Sequence, residues 1–119
     1  MGRMLNVSKG TVLATDVRFA RTWLSRSRGL LGRRSLPRGE ALLIEPSFSI
    51  HTAFMRFPID VVFLNRDLMV VKVAPKIGSF RVAVALGAHS ALELAAGVAR
   101  EARVEAGDQL AMKEESDET

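Results

Sequence analysis

The stretch "SIHTAFMRFPIDVVFLN" sets His51, Arg56 and Asp60 into an otherwise largely apolar run. An imidazole acts as base, acid or ligand near neutral pH. A carboxylate at the start of a buried strand needs donors, and a histidine within reach would supply one while being oriented by it. Arg56, facing the same cleft, could grip a carboxylate or phosphate with two prongs. Glu93, in "ALELAAG", either faces water or enters that cleft. One reading is therefore a polar cleft lined by His51, Arg56, Asp60 and Glu93, with a His-Asp pair at its mouth. In the other, His51 bonds a loop carbonyl, Asp60 accepts backbone N–H groups in the turn after Pro58, and Arg56 is a solvated turn residue. The second is favoured for His51 and Asp60, because buried polar groups are usually satisfied structurally.

Other chemistries have less to stand on. The chain has no cysteine, which removes disulfides, thiolate metal sites and thiol nucleophiles together. Its two histidines, His51 and His89, show no paired metal-ligand spacing, so no metal or other cofactor is expected. Ser47 or Ser49 could complete a triad by count, yet no Gly-x-Ser-x-Gly elbow exposes a nucleophile. No glycine pattern for a nucleotide phosphate occurs.

The charge is lopsided. Between Val17 and Gly39 lie seven arginines and no acid, whereas the C-terminal "EESDET" is acidic, within a net charge of +4. Arg21, Arg26, Arg28, Arg33 and Arg34 are the candidates for an anionic partner, nucleic acid included. The segment lacks interleaved aromatics for base stacking, and tyrosine is absent from the chain, so a solvated basic face is the favoured reading.

The elements that would position these groups read mostly as strands. "TVLATDVRFA", "ALLIE", "DVVFLN", "LMVVKVA" and "QLAMK" are short runs rich in Val, Ile, Leu and Phe, punctuated by turn residues. Asn65-Arg66-Asp67 between two of them predicts an antiparallel hairpin. "ALELA" alternates as a strand, with loop after it. Trp23, Leu24, Leu30 and Leu31 recur at helical spacing, which predicts one helix over 22–31 ending near Gly32. Residues 1–10 read as a flexible lead, 11–113 as a single β-rich domain and 114–119 as a disordered acidic tail. No stretch approaches the roughly eighteen apolar residues of a membrane span, and no signal-peptide core is seen. The expectation is a cytoplasmic protein.

Taken in order, "RGLLGRRSL", "ALLIEPSFSIHTAFMRFPIDVVFLNRDLMVVKV", "ALELAAG" and "AGDQL" resemble the bacterial and archaeal family called domain of unknown function 192. The resemblance runs from about Ala20 to Met112 and is most specific at His51 to Phe63. It implies a compact, mainly antiparallel β-sandwich, jelly-roll-like, with one short helix, and it implies no enzymatic activity. Many members carry a Trp-Met-Lys-Asn-Thr type block where this chain has "IHTAFMRFPID", and the His-Thr-x-x-Met subgroup often has a cysteine where Ser47 stands here. The functional expectation is a non-catalytic binding or accessory module that takes a small polar or anionic ligand, or a protein segment. Its rivals are an enzyme using His51 and Asp60 for acid–base work and a nucleic-acid binder using the arginines.

Overall fold

The computed structural model describes residues 2–22, 33–52 and 55–114. Nine strands are formed: β1 (Gly2–Asn6), β2 (Thr11–Ala20), β3 (Glu40–Ile44), β4 (Ser49–His51), β5 (Ile59–Leu64), β6 (Val70–Ile77), β7 (Val82–Val84), β8 (Ser90–Ala95) and β9 (Leu110–Glu114). One helical turn, α1 (Val98–Glu101), lies between β8 and β9. Seven strands make one sheet in the order β6-β5-β8-β3-β2-β1-β9, and β4 pairs with β7 in a second. The sheet curls into a half-barrel. A bridge between Met69 and Gln109 brings its two edges together at one end, and Val70 N donates to Asp108 O at 2.8 Å beside it.

The β-rich class read from the sequence holds. The expected hairpin is β5–β6, closed by Asn65, whose side-chain oxygen accepts from Asp67 N and Met69 N at 2.9 Å each. "ALELA" is strand β8, although the residues after it make the turn of helix α1 rather than loop alone. Pairing of β2 with β3 is parallel, which requires a long crossover. The helix expected over 22–31 belongs to that crossover and lies almost wholly outside the described residues.

The chain's beginning departs from expectation. Residues 2–6 are not a lead but strand β1, hydrogen-bonded to β2 on one side and β9 on the other. The reason is Asn6. Met4 and Asn6 are both inward and almost fully buried, so the inward face carries a polar residue that hides the alternation. Asn6 Nδ2 is satisfied by Asp108 at 2.9 Å.

Two hydrophobic cores lie on opposite faces of the sheet. Inside the curl, Met4, Leu13, Val17, Leu43, Val62, Leu64, Leu92 and Leu94 pack with Val98, Ala99 and Ala102 of the helical segment, which plugs the half-barrel. On the outer face, Ile59, Val61, Phe63 and Ala91 pack under Ile50 of β4 and Ala83 of β7. The β4–β7 ribbon is thus a flap over the back of the sheet. Covered on both faces, β5 is buried at every position, which explains why "IDVVFL" reads as a nearly continuous apolar run.

Candidate functional site

The four residues singled out for a cleft do not converge. Asp60 sits on β5 with no solvent exposure, and its carboxylate is fully occupied by main-chain donors. Oδ1 accepts from Lys76 N at 2.8 Å, and Oδ2 from Gly97 N at 3.0 Å and Ala99 N at 2.9 Å. Lys76 has a left-handed backbone (φ 49°) within an irregular step of the β5–β6 register. Asp60 therefore ties a bulge in β6 to the start of α1. Its donors come from those two elements rather than from the turn after Pro58.

Glu93 lies on the opposite face. Its cross-strand partners are Leu42 on β3 and Val61 on β5, both packed in the outer core. The side chain is buried, and among the described residues Oε1 has no hydrogen-bond partner. Burial pushes its carboxyl up to about 7, since an ion is poorly solvated among apolar neighbours. The expectation that it faces water or a cleft gives way to a carboxyl sealed under the flap. His51 stands exposed at the end of β4, opposite Val82 of β7. Arg56 is exposed in a bend. Among the described residues the cis peptide bond is Glu45–Pro46, and Phe57–Pro58 is trans.

Thr52, which the sequence reading passed over, organises this block. Its hydroxyl donates to Gly78 O at 2.5 Å and accepts from Arg81 N at 2.8 Å. Thr52 N donates to Arg81 O at 2.9 Å, and Thr52 O accepts from Phe80 N and Met55 N. One buried threonine thereby pins the loop from Gly78 to Arg81 to the end of β4. That loop joins β6 to β7.

Between those two strands runs a groove of about 480 Å³ lined by Lys72, Ala74, Lys76, Ile77, Gly78, Arg81 and Val82 to Val84. Among the described residues it carries three cationic side chains and no acidic one. Lys72 reaches across it, Nζ donating to Val84 O at 2.9 Å. Nothing in the sequence marks these cations as neighbours of Arg81, because only the flap's position brings β7 beside β6.

The arginines of the basic segment are largely matched in space. Arg21 Nε donates to Glu45 at 2.8 Å and its guanidinium lies 4.1 Å from the Phe19 ring centroid. Arg33 reaches Glu40 at 3.3 Å, and Arg38 holds Glu101 with both terminal nitrogens. Arg34 is exposed; Arg26 and Arg28 lie outside the described residues. Asp108 accepts from Lys9 Nζ at 2.8 Å, Asn6 Nδ2 and the preceding Glu105 N. The Lys9 and Asn6 hydrogen bonds together hold its carboxyl down to about 2. Among the described residues no three His, Asp or Glu side chains gather to hold a metal ion, and no helix is long and apolar enough to cross a membrane.

The profile of the domain of unknown function 192 family, described as "uncharacterized ACR", matches residues 4–112. A UPF0127 protein of Pyrococcus furiosus is 41% identical over 73 residues, which span 57% of this chain and 61% of that relative. Two crystal structures share the fold at 21% identity. One, a protein of unknown function from Novosphingobium aromaticivorans, has a TM-score of 0.79 over 92% of this chain and 82% of its own. The other, described as a candidate transcription regulator of Sinorhizobium meliloti, has a TM-score of 0.81 over 93% and 91%.

Proposed function

The chain belongs to the domain of unknown function 192 family, and from that premise we propose that it is a non-catalytic binding module holding an anionic ligand in the groove between β6 and β7. The observation that carries this reading is the grouping of Lys72, Lys76 and Arg81 around one concavity with no carboxylate in its lining among the described residues. The volume lies within the usual range of ligand sites. His51, on the strand beside β7, borders the same flap, which keeps the distinctive block close to the proposed ligand. A cytoplasmic place of action is proposed with it, in keeping with a sequence that has no cysteine.

The expected affinity is modest. Exposed ion pairs contribute about 0.2–1 kcal/mol each, so three of them give at most about 3 kcal/mol, a Kd of about 6 mM or weaker for a small polyanion, weakened further by salt. Amide chemical shifts followed during a citrate titration test this. Shifts should concentrate at Lys76, Gly78 and Arg81 and vanish in a Lys72→Glu, Lys76→Glu, Arg81→Glu triple variant. Citrate shifts absent at about 100 mM, or clustered away from the groove, would sink the reading.

A further inference from the structure

The backbone of β7 makes the groove more specific than a patch of cations. In an antiparallel pair, residues alternate between those that bond the partner strand and those whose N–H and C=O point the other way. Thr52 N donates to Arg81 O, and Ala85 N donates to Phe48 O. Arg81, Ala83 and Ala85 are therefore the residues bonded to β4, and the main-chain groups of Val82 and Val84 face the groove. The Lys72 ammonium on Val84 O agrees with that direction. Among the described residues β7 pairs with β4 alone, and β6 is the last strand of its sheet. An open strand edge thus forms one wall of a groove whose other wall carries lysines.

Side chains along that edge are also unusual. Val82 and Val84 are 71% and 41% exposed on the outward face of the flap, and Phe80 and Leu86 in the turns that flank β7 are 66% and 82% exposed. Open edges of this kind are normally blunted by charge or cover, because they template pairing with another chain. Here the charge sits across the groove instead. A second copy of β7 would bring its own Lys72, Lys76 and Arg81 against the first set, so like charges disfavour self-pairing.

We infer that the groove accepts an extended acidic polypeptide segment as an added strand on the free edge of β7. This rests on the anion-binding reading above and names the class of its ligand. The segment's backbone would bond Val82 and Val84, and its N–H would take over the Val84 carbonyl from Lys72. Alternate side chains then divide. One set, acidic, faces Lys72, Lys76 and Arg81. The other set, apolar, lies beside the exposed Val82 and Val84 on the outside.

The test uses the full chain and five probes: acetyl-Glu-Val-Glu-Val-Glu-Val-Glu-amide, its Lys-for-Glu counterpart, the Glu-Val peptide N-methylated at every Glu, the same peptide N-methylated at every Val, and citrate. Calorimetry and amide shifts should show the Glu-Val peptide binding at least about tenfold tighter than citrate, as one or two added backbone hydrogen bonds require. Val82 and Val84 should shift most, and the lysine peptide should not bind. N-methylation in the register facing β7 should lose about tenfold. In Val82→Pro, which removes an outward N–H while leaving the β4-bonded residues intact, peptide affinity should fall and citrate affinity stay. Equal binding of the parent peptide and both N-methylated registers overturns strand addition. Citrate binding without peptide binding overturns this inference and leaves the anion groove standing, whereas failure of both removes the two together. Concentration-dependent broadening at Val82 and Val84 with no peptide response overturns it in favour of self-pairing.

Discussion

Replacing Asp60 separates a joint of the fold from a ligand group. Its carboxylate holds three main-chain N–H groups at 2.8, 3.0 and 2.9 Å with no water access to the side chain. Hydrogen bonds to a charged acceptor contribute about 1.5–3 kcal/mol each. In Asp60→Ala, Lys76 N lies in an exposed residue and can be rehydrated, while Ala99 N is buried and stays orphaned. The expected loss is about 3–5 kcal/mol, a large share of the roughly 5–15 kcal/mol that holds a domain together. Asp60→Asn keeps the shape but points an amide N–H at one of the donors, so it should recover only part of this. Urea unfolding reads the difference: with a slope near 1.5 kcal/mol per molar, the midpoint of Asp60→Ala should fall by about 2–3 M. Helix α1 and the Lys76 bulge should also lose hydrogen-exchange protection before the rest of the sheet. A midpoint within about 0.5 M of the parent, with citrate binding gone, would refute the structural assignment and return Asp60 to the site.

Glu93 should make stability fall as pH rises. Its folded-state value of about 7 lies above the ordinary 4.5, so its contribution is full below about pH 4.5 and is lost up to pH 7, by about 3 kcal/mol; urea midpoints across that range should flatten in Glu93→Gln. Asp108 acts in the opposite sense. Held near 2 foremost by Lys9, it contributes stability above about pH 4 that disappears as pH falls toward 2, and Lys9→Met should move the Asp108 carboxyl signal, followed by NMR, toward its ordinary value. Thr52→Val, which keeps shape and removes the hydroxyl that holds Gly78 and Arg81, should lose about 1–2 kcal/mol and weaken citrate binding by loosening Arg81, seen as faster exchange at residues 78–81.

What the sequence disclosed follows from where each interaction is written. The β5–β6 hairpin was readable because both its signals, an apolar run and an Asn-rich turn, are local. Strand β1 was not, since its inward Asn6 is acceptable only when Asp108, far along the chain, is already beside it. Asp60 was recognised as a carboxylate in need of donors, yet its donors are the main-chain nitrogens of Lys76, Gly97 and Ala99, and an N–H carries no letter in the sequence. The same limit hid the groove. Lys72 and Lys76 belong to one strand and Arg81 to the loop before the next, and their proximity depends on the flap folding over the outer core.

The distinctive block around His51 therefore forms the hinge of that flap. Ile50 anchors the ribbon in the outer core, Thr52 clamps the loop that sets Arg81, and Asp60 fixes the bulge that carries Lys76. Each polar residue of the block that is buried is spent on main-chain groups: those held by Thr52 and one of the three held by Asp60 line the groove, and the other two, Gly97 N and Ala99 N, open α1. A mutation at Thr52 or Asp60 should consequently alter ligand binding through the positions of Arg81 and Lys76. Such an effect would be suppressed by a ligand that supplies its own ordering contacts along β7. Comparing citrate with the Glu-Val peptide in Thr52→Val measures this directly: a larger fractional loss for citrate is expected, because the peptide bonds Val82 and Val84 as well as the displaced arginine. Equal losses for both ligands would mean that the loop and the β7 edge move as one body, and the hinge account would fail.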